Sequence, residues 1–174
     1  NAPNARANSY TSTSVDYGSG MSEWCRNCHT NYTGSTRHVA GNDEVLNGYA
    51  DNYNSYVKTG DFTGTIATSY DSLVPFERGE DDPTLLDPTS TAGPGAGANV
   101  MCLTCHRAHA TAHQNIGRWD FAPALLAESQ ALESADLTAT EKANAYYKGG
   151  ATIDVVTTYG EFQRSLCNKC HAQD

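Results

Sequence analysis

The chain has 174 residues, 39% of them apolar, and a formal net charge of −9, which bounds it to a single domain with a modest core. A mean hydropathy of −0.55, with 15 glycines and 6 prolines, predicts a loop-rich fold in which aliphatic side chains alone bury too little surface. The acidic balance argues against nucleic acid or anionic membrane as partners, and no apolar run approaches the length of a transmembrane segment.

The first residues, Asn1-Ala2-Pro3, include no initiator methionine and no apolar h-region. That is expected of a mature exported chain after signal-peptide cleavage. Residues 1–20 are polar, rich in Ser and Thr and without periodicity, and read as an extended N-terminal arm of the 1–174 domain. Ser22 reads as the N-cap of a short helix, SEWCRNCHTNY, that presents Cys25, Cys28 and His29. Trp24 is expected on or near the group that this motif binds. His38 follows, then a Gly41-Asn42-Asp43 turn signal. Tyr49, Tyr53 and Tyr56 recur at helical spacing within residues 44–58 and read as aromatic cover presented by a helix.

Residues 59–86 read as irregular turns. The acidic group Glu77, Glu80, Asp81 and Asp82 lacks the spacing of a calcium loop and reads as a solvated acidic loop. Residues 89–99 (TSTAGPGAGAN) read as a flexible Gly/Pro linker, since neither a preceding strand nor a P-loop pattern supports nucleotide binding. Asn99 is then a candidate cap for a helix carrying Cys102, Cys105 and His106. If that helix continues, His106, His109 and His113 share one face, with the outer two about 10 Å apart along the axis. Helices are also expected over 122–137 and 138–148, closed by Gly149-Gly150, and over 159–171, which carries Cys167, Cys170 and His171.

All six cysteines fall in three C-x-x-C-H motifs. One such motif would fit half a zinc site or a redox dithiol, but three that use every cysteine point to covalent attachment of c-type haem. Cys25, Cys28, Cys102, Cys105, Cys167 and Cys170 are the expected thioether residues of three haem c groups, and His29, His106 and His171 their proximal iron ligands. Six histidines less these three leaves His38, His109 and His113 for the distal positions. Bis-histidine ligation throughout is the economical reading; the alternative leaves one of the three as an ordinary surface histidine. His109 and His113 would each serve an iron other than the one held by His106, in this subunit or another. Met21 and Met101 read as packing residues. Covalent haem attachment takes place outside the cytoplasmic membrane, so an exported protein is expected.

Five stretches, SEWCRNCH, NYNSYVKTGDFTGT, YDSLVPFERG, VMCLTCHRAHAT with GRWDF, and SLCNKCH, spread from Ser22 to His171. In them the chain resembles the extracellular multihaem c-type cytochromes that polymerise into conductive filaments. The resemblance implies a mostly irregular, loop-rich fold with short α-helices, a haem-dominated core and little or no β. It also implies head-to-tail assembly with copies of the chain itself, in which one haem takes its distal histidine from the neighbouring subunit. His38, towards the N-terminal end, is the candidate donor. Partners would be redox cytochromes and extracellular acceptors, and the function electron transfer without catalysis. Members of that family carry more than three haems, which is where this chain departs. A monomeric triheme periplasmic or surface shuttle is the alternative. A multihaem reductase ranks below it, because an enzyme needs an iron with an open position and the histidines match the irons in number.

Overall fold

The computed structural model describes residues 2–7, 15–30, 40–42, 49–57, 61–69, 74–90, 92–108, 114–118, 122 and 167–170. The helices expected over 122–137 and 138–148, and His38, His109, His113 and His171, lie outside the described residues. The chain forms two compact units, one made of Asn1–Ala50 with Val74–Cys105 and the other of Asp51–Leu73 with His106–Asp174.

The first unit opens with β1 (Asn4–Ala7) and β2 (Val15–Ser19), which lie in the segment expected as an arm. They pair antiparallel with Ala5 opposite Tyr17, Arg6 opposite Asp16 and Ala7 opposite Val15. Burial alternates along β2, with Asp16 and Gly18 inside, the period of two that a strand imposes. So polar a two-stranded ribbon does not hold by itself. It is held by residues 77–86. Arg78 N donates to Tyr17 O at 2.8 Å and Gly79 N to Gly18 O at 3.0 Å. Arg6 Nη1 reaches the carbonyls of Thr84 at 3.2 Å and Leu86 at 2.8 Å.

Within the stretch 89–99, expected as a flexible linker, residues 92–99 are instead pinned down at several points. Pro94, Ala98 and Asn99 are buried, and Asn99 exchanges backbone hydrogen bonds with Glu77 at 2.8 and 3.1 Å. The glycines serve contact here. Gly79 sits at a φ of 72°, and a Cβ on it would collide with the carbonyl oxygen of Gly97, so two backbones meet where side chains would keep them apart. Phe76, Leu86, Ala98 and Met101 supply the apolar core of this unit. Met101 thereby fills the packing role expected of it.

α2 (Tyr49–Ser55), whose residues from Asp51 on belong to the second unit, buries Tyr53 and leaves Tyr49 exposed. Tyr56, just beyond the helix, is also buried and meets Phe62 edge-to-face with centroids 5.2 Å apart. The loop after α2 closes on the helix end through Val57 N to Asp61 O and Gly64 N to Ser55 O, both 2.8 Å.

His106 and Arg107 meet residues 114–117. His106 bridges Gly117, and Arg107 N donates to Ile116 O at 2.8 Å. The turn that permits this runs through Asn115 and Ile116 at φ 56° and 55°. Asparagine tolerates the left-handed region, whereas a β-branched residue is strained there by about 1–2 kcal/mol. Ile116 is partly exposed, so little burial offsets that strain. Replacing Ile116 by Asn is expected to stabilise the protein by about 1 kcal/mol, read as a rise in the thermal unfolding midpoint. A fall would mean that the isoleucine side chain contributes more than its backbone costs.

Candidate haem sites

The first motif sits at the end of α1 (Met21–Arg26). This helix starts one residue before the expected N-cap. Gly20, at φ 82°, holds the cap position, and Ser22 lies inside the first turn, fully buried. Capping comes from a distant residue: Glu77 Oε1 accepts from Met21 N at 2.6 Å and from Ser22 N at 3.3 Å, satisfying two of the orphan donors of the helix start. Glu77 therefore leaves the acidic cluster in which the sequence placed it. Its side chain is buried, and burial raises its carboxyl above the usual glutamate range, the two N–H bonds opposing the shift. Glu80, Asp81 and Asp82 do form a solvent-facing loop, in which Thr84 hydrogen bonds hold Asp82 below the usual range.

The second motif lies on α3 (Cys102–Cys105). Asn99 does not cap this helix, being engaged with Glu77. Instead, Thr104 Oγ1 accepts from Met101 N at 3.1 Å and donates to Pro75 O at 2.6 Å. Ser22 Oγ accepts from Cys102 N at 3.1 Å, so α1 and α3 are joined at their first turns. The Cys25 thiol hydrogen-bonds with Cys102, and burial, followed by that neighbour, pushes the Cys25 thiol pKa up. The first cysteines of two motifs thus converge.

The third motif lies on α4 (Cys167–Cys170), the described part of the helix expected over 159–171. In the first two motifs the cysteines stand three residues apart on a helix or at its end, a spacing that brings side chains to one face. Cys25, Cys28, Cys102, Cys105 and Cys170 are free of disulfides, and each is half-buried or exposed, whereas cysteine is among the most buried residue types.

His29 is exposed at the end of the first motif, its backbone N bonded to Cys25 O at 3.0 Å. His106 carries a more telling contact. Its Nδ1 lies 2.8 Å from Asn115 O, and a carbonyl can only accept. The ring proton is therefore on Nδ1 and the lone pair on Nε2, the arrangement in which metal-ligating histidines are held. Thiol pairs at helical spacing, followed by a histidine oriented this way, fit the attachment of haem c. Cys25, Cys28, Cys102, Cys105, Cys167 and Cys170 would hold it.

One expectation fails at this site. The helix of the second motif stops at Cys105, and the chain turns back at His106 toward Gly117. His106, Arg107 and Ala108 are therefore not helical, and His109 and His113 lie outside the described residues. At that point His106 leaves the helix to meet Asn115 O and Gly117. Trp24 stands 52% exposed beside Cys25. Sequence reasoning missed Glu77, Asn115 and Lys169. The only hint for Glu77 was its position directly after the apolar run Val74-Pro75-Phe76.

No protein-family model matches the chain. It is 41% identical, over 97% of its length, to the C-type cytochrome OmcS of Geobacter sulfurreducens. It spans 44% of that relative, somewhat less than half. Among solved structures it is similar to the Outer Membrane Cytochrome S filament of the same organism, with a TM-score of 0.63 and 37% identity over 97% of this chain and 46% of that one. Similarity to the OmcS nanowires seen by cryo-EM gives a TM-score of 0.69 and 39% identity, over 99% of this chain and 49% of that one. These likenesses extend over nearly the whole of this chain, both units and all three motifs included, and make it similar to a C-type cytochrome that has been solved as filaments.

Proposed function

We propose that the chain carries three covalently bound c-type haems, each with two histidine ligands, and is the repeating subunit of an extracellular filament that conducts electrons to external acceptors. The observation that carries this reading is the use of all six cysteines in three Cys-x-x-Cys-His motifs. When bound, haem supplies reversible one-electron chemistry at its iron. The chain's part is to hold and orient. Cysteine pairs anchor the haem edges, and His29, His106 and His171 take the proximal positions. His38, His109 and His113 take the distal ones, which leaves no iron open to a substrate and makes the protein a carrier rather than an enzyme. The contact between Cys25 and Cys102 supports exchange between the first two haems, because it joins their attachment points.

Filament growth in this reading uses His38 as the ligand supplied to the next subunit, with other cytochromes feeding electrons in. No described helix is long and apolar enough to cross a membrane. The His38→Ala variant is expected to retain three haems by intact mass while losing the uniform thin fibres that the wild type shows in negative stain. Wild-type particles that stay monodisperse near the 18.6 kDa chain mass plus haem would replace the filament with a soluble shuttle. High-spin iron in the wild type would point to a reductase instead.

A further inference from the structure

Lys169, inside the third motif, lies where lysines are rarely found. Its side chain is fully buried, although lysine normally keeps its ammonium in water by extending along the surface. Nζ stands 4.2 Å from the centroid of the Tyr53 ring and 5.7 Å from that of Tyr56. Both rings are themselves buried. Two π faces attract a desolvated ammonium through their ring quadrupoles. The same segment also grips the motif's backbone, with Asn52 Nδ2 donating to Cys170 O at 3.3 Å.

The location of this cation matters because Lys169 lies between Cys167 and Cys170, within one helical turn of both. A charge removed from water acts strongly on its neighbours. Haem iron loses one unit of positive charge on reduction, so a standing cation beside it favours the reduced form. We propose that Lys169, seated on Tyr53 and Tyr56, is a positioning residue that raises the reduction potential of the haem held by Cys167 and Cys170. This rests on the assignment of a haem to the third motif, as proposed above.

The test is a spectroelectrochemical titration of the holoprotein, with haem occupancy of each motif read by mass spectrometry of its peptides. Lys169→Met, which keeps length and removes charge, is expected to lower one midpoint of the three and leave the other two in place. Lys169→Arg, whose guanidinium also stacks on aromatic faces, should hold the wild-type value. Unmoved midpoints in a fully haem-loaded Lys169→Met protein would overturn the proposal, as would an Arg variant shifted as far as the Met variant. If Lys169→Met fails to load its third haem, Tyr53→Leu supplies the reading. Release of the ammonium to water should lower the same midpoint, and an unchanged midpoint overturns the proposal. A wild-type CNKCH peptide without haem would instead overturn the haem assignment itself, and the proposal with it.

Discussion

Replacing Glu77 by Ala is expected to destabilise the protein by about 3 kcal/mol, read by denaturant unfolding. The carboxylate oxygen Oε1 is the acceptor for Met21 N and Ser22 N, and Ser22 is fully buried. Truncation leaves donors at the start of α1 without a partner and opens a cavity in the first unit. Ser22 in turn holds Cys102 N, so the loss reaches the second motif as well as the first. Glu77→Gln separates charge from hydrogen bonding, because an amide oxygen can still accept from both N–H groups. Burial raises the Glu77 pKa, so the folded state binds this proton more tightly than the unfolded state does. Stability from that proton is fully present below the ordinary glutamate range and is lost as pH rises through the raised folded value. Wild type is therefore expected to lose stability relative to Glu77→Gln over that window and to run parallel above it. Parallel curves throughout would show that the carboxyl is not strained by its burial.

What was legible in the sequence was what chemistry fixes locally. Haem attachment demands two cysteines and a histidine at set spacing, and each motif with described residues does fall on a helical turn. Of the three tyrosines whose periodicity read as aromatic cover on a helix, Tyr53 and Tyr56 are buried, while the helix ends at Ser55 and Tyr49 faces solvent. The failures share a cause, which is that the partner lies far along the chain. Glu77 is buried because donors 55 and 56 residues earlier need an acceptor, and composition alone placed it among solvated acids. The glycines of residues 93–97 looked like flexibility, whereas Gly97 is met by Gly79, whose missing side chain lets the two backbones touch. His106 is oriented by a carbonyl nine residues on, presented by a turn through an isoleucine that propensity would reject. Helical extrapolation past Cys105 failed at His106.

The second large effect is expected at Arg78. Its guanidinium binds three groups at once: Nε pairs with Asp16 Oδ1 at 2.9 Å, Nη1 donates to Gly93 O at 2.8 Å and Nη2 to Ala92 O at 3.1 Å. Asp16 is nearly buried and also accepts from Asp87 N at 3.0 Å. Arg78→Ala would leave this carboxylate without its cation, at a cost of about 3 kcal/mol; partial exposure of Arg78 keeps the figure at the low end for such pairs. Arg78→Lys tells charge from geometry. A lysine can pair with Asp16 but has no fork with which to hold two adjacent carbonyls as well, so about half the loss should remain. The residual loss should be local. Residues 92–99 run directly into Met101 and the second motif, and amide exchange at Ala98 and Asn99, which hydrogen-bond to Gly95 O and Glu77 O, should quicken in the Arg78→Lys variant while the ribbon amides stay protected. Equal stability of the Arg78→Lys and wild-type proteins would assign the whole effect to the ion pair. It would also leave the packing of residues 92–99 to the Gly79–Gly97 contact and the Glu77–Asn99 bridge.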